Sequence, residues 1–433
     1  MIADRQTKRA SVRALGCRLN QYEVTAIADR LAVAGYQVVP FGEPADLGVI
    51  NTCTVTNEAD AKSRNVIRRF IRTNPHAVTV VVGCYSQVGA SSVAEIQGVD
   101  YVIGNQDKMN LLEYIGEEKT DRPVVVRDRI DREDFSLSIN GDTPFEWRAN
   151  LKVQDGCDYT CSFCTIPFAR GKSRSDTIAN TMKVAREVAQ TDAREIVLTG
   201  VNIGDFGKGT TETFFDLIQE LDQLEGIDRI RISSIEPNLL TDEMIEFCAA
   251  SQKFMPHFHV PLQSGSDKIL GAMRRRYKRT LYENCVAKIK QCIPDACIGV
   301  DVIVGFPGET DDDFLDTYNF LNELDISYLH VFTYSERPNT DALEIGAVVS
   351  KGDRAYRSKM LHILSDKKRR FFHEQFIGQE RPVLFESVKN GKIMGHTDNY
   401  IQVQVNGEID LINTINNILL SENNDMIVNG ILA

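Results

Sequence analysis

Nowhere in the 433 residues does an apolar run approach the ~18 residues a membrane span needs, so no spanning helix is expected. The first fifteen residues, MIADRQTKRASVRAL, hold no apolar stretch of the export kind, so no signal peptide is read and a cytoplasmic protein is expected. Positive charge is not in excess: 49 Lys and Arg face 61 Asp and Glu, a net charge of -12. That excludes a simple polycationic nucleic-acid binder while leaving room for a local basic surface. Low-complexity tracts and sequence repeats are lacking too. What remains, 42% hydrophobic and 25% charged residues, is ordinary globular composition with length for two or three domains. Ten cysteines without an export signal point to reduced thiols serving metal or catalysis rather than to a disulfide framework.

The charge is uneven along the chain. Residues 1–120 hold 13 basic and 13 acidic residues, whereas residues 374–433 hold 3 and 8. The front is therefore the least repulsive segment to a polyanion and the tail the least inviting.

Periodicity divides the chain into an α/β front domain (1–120), a linker (121–143), a second α/β domain (144–373) and a small all-β module (374–433). In the front domain, strands are predicted at Ser11–Leu15, Tyr36–Val39, Leu47–Asn51, Thr79–Val82 and Tyr101–Ile103, with helices at Tyr22–Ala34 and Asp60–Thr73. Such alternation implies a parallel sheet covered by helices. The second domain repeats strand-then-helix about six times, from Asn150–Val153 to Tyr328–Phe332, which fits a partial (βα)6 barrel or an open doubly wound sheet. Trp147, the single tryptophan, precedes the first of these strands and is read as a domain-packing anchor. The tail gives short alternating strands at Val383–Phe385, Ile401–Val405 and Met426–Val428, barrel-like in length and turn spacing.

Three thiols, Cys157, Cys161 and Cys164, lie within eight positions, spaced x3 then x2. A loop of that length can wrap one corner of an iron–sulfur cube and leave the fourth iron open to a small molecule. A zinc loop is the alternative, although structural zinc wants four ligands and none completes the set nearby. A second set, Cys17, Cys53 and Cys84, is dispersed, but each cysteine follows a predicted strand. In a parallel sheet the C-terminal strand ends share one edge, so the three either converge there or are separate core thiols. Cys248, Cys285, Cys292 and Cys297 read as buried structural thiols. His257 and His259 share a face of one strand with no third ligand visible, which reads as packing.

The CxxxCxxC loop after the first barrel strand, with Phe163 before its last cysteine, resembles the radical S-adenosylmethionine superfamily. Ala14–Glu23 (ALGCRLNQYE), Val49–Asn57 (VINTCTVTN) and Val82–Gln87 (VGCYSQ) resemble the front domain of the methylthiotransferases within it. Further matches are TGVNIG at 199–204, SSIEP at 233–237, HVPLQSGS at 259–266 and DVIVGFPGET at 301–310, and the tail resembles a TRAM domain. The resemblance covers essentially the whole chain.

It implies a front parallel α/β domain, a partial (βα)6 barrel and a TRAM barrel. It also implies two [4Fe–4S] clusters, on Cys17/Cys53/Cys84 and on Cys157/Cys161/Cys164. S-adenosylmethionine would both methylate a transferred sulfur and yield the radical that abstracts hydrogen. Its pocket is expected to take Phe163, the Thr199-Gly200 backbone, Ser234, Glu236, Gln263 and Ser264. The family acts on isopentenyl-adenosine in tRNA, on threonylcarbamoyl-adenosine in tRNA or on a ribosomal protein. GCRLNQYE and NTCTVTNEAD resemble the threonylcarbamoyl branch most closely.

The implied partners are a tRNA anticodon stem-loop, whose target base must be flipped out to reach the chamber, and a reducing electron donor. The protein is expected to be a monomer. Arg18 is the candidate contact to the threonylcarbamoyl carboxylate. Arg64, Arg68 and Arg72 on one helical face, and Arg275 and Arg276 beside Tyr277 as a stacking ring, are the candidate RNA contacts, with Lys367–Arg370 as a third basic run. The competing classes are a two-cluster electron carrier, which yields no 5′-deoxyadenosine, and a zinc-stabilised RNA-binding module, which holds zinc and no sulfide.

Overall fold

The computed structural model describes residues 7–130, 135, 147–424 and 426–432. Its first body is a six-stranded parallel sheet made of β1 (Arg9–Ala14), β2 (Gln37–Val39), β3 (Leu47–Thr52), β4 (Val78–Gly83), β5 (Tyr101–Ile103) and β6 (Val124–Val126), in the order β2-β1-β3-β4-β5-β6. Strands β3 and β4 are buried at every position, as their unbroken runs LGVINT and VTVVVG require when helices cover both faces. Helix α1 (Arg18–Val33) follows β1, and α2 (Asn57–Thr73) follows β3. The N-terminus of α2 is fixed by Thr56, whose side chain accepts from the Ala59 amide, and by Glu58 and Asp60 in its first turn. Strand β6 corrects the expected linker: Val124–Val126 pair with Tyr101–Ile103 as an edge strand. Its flanking charges, Arg122, Arg127 and Asp128, made it read as a linker, and they are what an exposed sheet edge carries.

The second body is an open barrel. Strands β7 (Arg148–Lys152), β8 (Glu195–Thr199) and β9 (Arg229–Ile232) form one parallel sheet. Strands β10 (His257–His259), β11 (Cys297–Val304) and β12 (Tyr328–Thr333) form another, and a bridge between Ser234 and His259 joins the two. All six sit where the periodicity put them. Helix Lys351–Glu374 then leads into a closed barrel of β13 (Glu380–Lys389), β14 (Lys392–Thr397), β15 (Gln402–Val405), β16 (Ile415–Asn424) and β17 (Ile427–Leu432), ordered β13-β14-β15-β17-β16. Among the described residues no helix is long and apolar enough to cross a membrane.

The closed barrel is clamped to the open one largely through its main chain. Arg229 donates to the Pro382 and His396 carbonyls (2.8 and 3.2 Å), and Arg231 to those of Thr397 and Asp398 (2.9 and 2.7 Å). Trp147 donates its indole N–H to the Glu386 carbonyl (2.8 Å), so it anchors the two barrels to each other. Beneath this seam Glu195 is fully buried between Arg148 (2.6 Å) and Arg231 (2.8 Å). Burial alone would raise its carboxyl, but the two guanidinium groups outweigh that and hold it down at about 2.

Candidate active site

The loop after β7 brings Cys157, Cys161 and Cys164 together as free, half-buried thiols. Gly156 opens it at φ +68°, and a Cβ there would lie 2.0 Å from the Lys172 carbonyl oxygen, so this turn requires glycine. The Tyr159 amide points at the Cys157 sulfur (3.4 Å), and Arg275 donates to the Cys161 sulfur (3.2 Å). Burial pushes the Cys157 thiol up to about 11 and Cys164 to about 12, with Cys161 adding to both.

The dispersed set also converges. Cys17 caps α1, Cys53 follows β3, and Cys84 opens the short helix Cys84–Val88 after β4, all on the C-terminal edge of the front sheet. Burial raises Cys17 and takes Cys53 to about 12, with Cys84 adding to both, so the three sulfurs feel one another. A Cβ on Gly16 (φ +90°) would lie 2.7 Å from the Cys53 sulfur, so the missing side chain is what admits that thiol. Cys17 keeps exposed surface although protein crowds it, as a residue lining a recess does.

A buried polar network joins the two sets. Arg170, six positions past Cys164 and 1% exposed, donates to Asn20 Oδ1 (2.6 Å), to both Glu23 oxygens (2.9 and 3.2 Å) and to Asp155 (3.0 Å). Lys108 reaches Glu23 (2.6 Å), while Lys152 and Arg174 reach Asp155 (3.0 and 3.1 Å). Asn105 spans the interface, donating to the Ala169 carbonyl (2.6 Å) and lying 3.6 Å from the Cys84 sulfur. Four cations thus face two carboxylates in this network, and Arg170 is the one that acts on Cys17 and Cys53. Burial raises the thiols, Arg170 opposes that rise at Cys17 and Cys53 and Arg275 at Cys161, and an all-sulfur donor set of three free cysteines at each centre fits two iron–sulfur clusters.

The other sequence-predicted residues divide. Phe163 packs edge-on against Phe306, and the side chains of Ser234 and Gln263 have no hydrogen-bond partner among the described residues. Gln263 also holds a positive φ of 73°, uncommon for a residue with a side chain. Thr199 is committed: its carbonyl accepts from Val153 and its hydroxyl donates to Val197. Gly200 lies against Gln154, where a Cβ would come 2.9 Å from the Gln154 carbonyl oxygen. Gln154, which sequence reasoning missed, accepts from the Val201 and Asn202 amides and donates to Gly156, so it ties the TGVN loop to the cysteine loop. Ser264 is buried, with its hydroxyl against Thr317, and Glu236 pairs with Arg275.

Among the basic candidates, Arg68, Arg72 and Arg276 are exposed, and Arg64 donates to the Tyr85 hydroxyl (2.8 Å). Two are corrected. Tyr277 is buried, donating to the Pro261 and Leu262 carbonyls, so it offers no ring to RNA, and Arg275 turns inward to the cysteines. Both sit on a turn held against the segment that follows β10, where alternating charge and ring looked like a surface patch. In the third run Lys368 caps the Asn322 and Leu324 carbonyls rather than facing outward.

A cavity of about 380 Å³ opens where the three bodies meet, lined among others by Arg18, Arg231, His259, His330, Arg369 and Tyr400. His257 packs as expected, bonded to the Tyr328 hydroxyl (3.0 Å) and stacked on Tyr400 (4.1 Å between ring centres). His259 differs: Asp301, 2.8 Å away, and His330 bring three ligand atoms within 4.8 Å of one another. The sequence hid this because the partners come from the next two strands. Three guanidinium groups line the same cavity, and their field opposes a cation there.

The model of the radical SAM superfamily matches residues 151–321, and that of uncharacterized protein family UPF0004 matches residues 9–104. The chain is 40% identical to the threonylcarbamoyladenosine tRNA methylthiotransferase MtaB of Bacillus subtilis, over 93% of this chain and 91% of that protein. It is 39% identical to the Aquifex aeolicus protein of the same name (91% and 95%). It is 32% identical to the tRNA-2-methylthio-N(6)-dimethylallyladenosine synthase of Jannaschia sp. (100% and 95%). In fold it is similar to the radical S-adenosylmethionine methyltransferase TsrM of Kitasatospora setae, with a TM-score of 0.56 at 14% identity and 77% of each chain covered. With two thiol triads on two α/β bodies and relatives matched nearly end to end, the chain belongs to the radical S-adenosylmethionine methylthiotransferases, enzymes that use two [4Fe–4S] clusters and S-adenosylmethionine.

Proposed function

We propose that the protein converts N6-threonylcarbamoyladenosine beside the tRNA anticodon to its 2-methylthio derivative. The structural observation that supports this is the buried Arg170–Glu23–Asp155 network, which ties the helix after Cys17 to the residues just before Cys157. The choice of substrate rests on relatives named for threonylcarbamoyladenosine at 33–40% identity, against 30–32% for those named for dimethylallyladenosine.

Cys17, Cys53 and Cys84 would hold the front cluster, and Cys157, Cys161 and Cys164 the barrel cluster that would serve S-adenosylmethionine. When bound, these groups supply the sulfur, its methyl group and the hydrogen-abstracting radical that together replace the adenine C2 hydrogen by a methylthio group. The chain's own residues position and shield. Arg275, oriented by Glu236, holds the Cys161 sulfur, and Gln154 fixes the TGVN loop beside it. Phe163 in the cysteine loop, and Gly200, Ser234 and Gln263 beyond strand ends of the barrel mouth, are our choice for contacts to S-adenosylmethionine. Arg68, Arg72 and Arg276 are exposed and available to tRNA phosphates of the anticodon stem-loop. A monomer supplied by an external reductant, working in the cytoplasm, completes the reading.

The deciding experiment is nucleoside mass spectrometry of tRNA from cells lacking the protein. The 2-methylthio derivative should vanish while threonylcarbamoyladenosine persists. Loss of the methylthio-isopentenyl nucleoside instead would move the enzyme to the other tRNA branch.

A further inference from the structure

The cavity between the three bodies has no part in the cluster sites, yet it is built with care. Arg148, Arg170, Arg231, Arg337, Arg354 and Arg357 each pair with a carboxylate. Arg18 and Arg369, which line the cavity, have no carboxylate partner among the described residues. Arg18 bonds only to the Tyr400 hydroxyl (3.0 Å). Arg369 lies over the Tyr328 ring (5.3 Å) and 3.6 Å from the Met426 sulfur. Two guanidinium groups left without anions in one concavity are unused capacity for a forked, anionic ligand. The volume, about 380 Å³, falls in the range of small-ligand sites.

The position of Arg18 is enforced from far along the chain. Tyr400 stands at φ +69° in the turn between β14 and β15, its ring sandwiched between His257 (4.1 Å) and His396 (4.9 Å) with the Arg231 guanidinium 5.0 Å from its centre. A ring so held presents its hydroxyl at a fixed point, and the guanidinium it holds follows Cys17 directly in sequence.

We propose that this cavity is the specificity pocket for an anionic substituent on the target base, with Arg18 and Arg369 binding its carboxylate and Tyr400 as a positioning residue for Arg18. The proposal rests on the threonylcarbamoyladenosine reading and deepens it: the carboxylate is what separates that nucleoside from one carrying an isoprenoid chain. It also gives the acidic C-terminal barrel a task other than gripping RNA.

The test uses the cluster-loaded protein and three tRNAs that carry threonylcarbamoyladenosine, its threonyl methyl ester, or unmodified adenosine. The wild type should show a KM roughly 10- to 100-fold higher for the ester than for the acid, the worth of charge-assisted hydrogen bonds. Arg18→Gln and Arg369→Gln should raise KM for the acid by a similar factor and bring it level with that of the ester, while binding of the unmodified tRNA reports any general loss of RNA affinity. Tyr400→Phe, which keeps the ring stack, should raise KM for the acid about fivefold with little change in kcat. Should the wild type treat acid and ester alike, the pocket assignment is overturned while the proposed function stands, and that arm needs no variant to fold. The assignment is equally overturned if both arginine variants keep the wild-type KM. Should the wild type leave threonylcarbamoyladenosine unmodified, the functional reading falls and takes the pocket with it.

Discussion

Replacing Arg170 by Met removes a guanidinium that is 1% exposed and makes four hydrogen bonds, to Asn20, to both Glu23 oxygens and to Asp155. Breaking a buried ion pair costs about 3–5 kcal/mol when the partner is left unpaired. Here neither carboxylate is stranded, because Glu23 keeps Lys108 and Asn51, and Asp155 keeps Lys152 and Arg174. The expected cost therefore lies at the low end, about 3 kcal/mol, and falls on the contact between the front sheet and the open barrel. The cysteines respond unequally. Arg170 is the main cation opposing the rise of the Cys17 thiol, whereas Cys161 has Arg275 for that purpose. Arg170→Met should thus lose the front cluster and keep the other, with iron falling from about eight to about four per chain. Reductive cleavage of S-adenosylmethionine should survive while methylthiolated tRNA disappears. Arg170→Lys, which keeps charge but not the fork, should fall between. Full iron content with undiminished methylthiolation in Arg170→Met would refute the role assigned to the network.

Glu195 makes the seam between the two barrels acid-sensitive. Its folded value of about 2 lies below the ordinary 4.5, so its stabilisation is complete above pH 4.5 and is lost as pH falls toward 2. At full extent it is worth about 3 kcal/mol, and Trp147 fluorescence of metal-free protein should report the loss, with the Glu195→Gln variant showing a flatter acid limb. Gly16→Ala, whose Cβ would press on the Cys53 sulfur, should cost the front cluster alone, whereas Gly156→Ala should cost the barrel cluster and with it 5′-deoxyadenosine formation. Iron content and cleavage assays separate the two. A fluorescent adenine analogue at the target position of the tRNA should brighten on binding as it leaves the stack, and unchanged emission would count against base flipping.

The strands of both α/β bodies were legible because each is a short β-branched run between helical periodicities, and burial on both faces leaves little else for VTVVVG or CIGVDVIV to be. The closed barrel was half legible. Strand β14 contains Gly395, where a Cβ would lie 2.3 Å from the Leu384 carbonyl oxygen, and β16 shifts register between Leu420 and Glu422, so neither shows clean alternation. The cysteine loop could be read locally, since its ligands are seven positions apart at most. The front triad needed the rule that parallel strands share an edge. What could not be read was the network of long-range partners: Arg170 to Glu23, Arg337 to Asp60, Arg18 to Tyr400, each more than 140 residues apart. The short words around the front cysteines are now explained by those partners, with Asn20, Glu23, Asn57 and Asp60 all engaged across the domain boundary.

Arg229 and Arg231 grip the C-terminal barrel by four main-chain oxygens, and a carbonyl is the same whatever residue bears it. Those four bonds are therefore indifferent to the identity of the side chains on the gripped turn. Exchange of the residue at position 400 would give up its stacking on His257 but leave the four bonds in place, and would so retune what the neighbouring hollow accepts. A family that must tell apart nucleosides differing only in one appended group gains from such a mounting: a fixed bracket with an interchangeable tip.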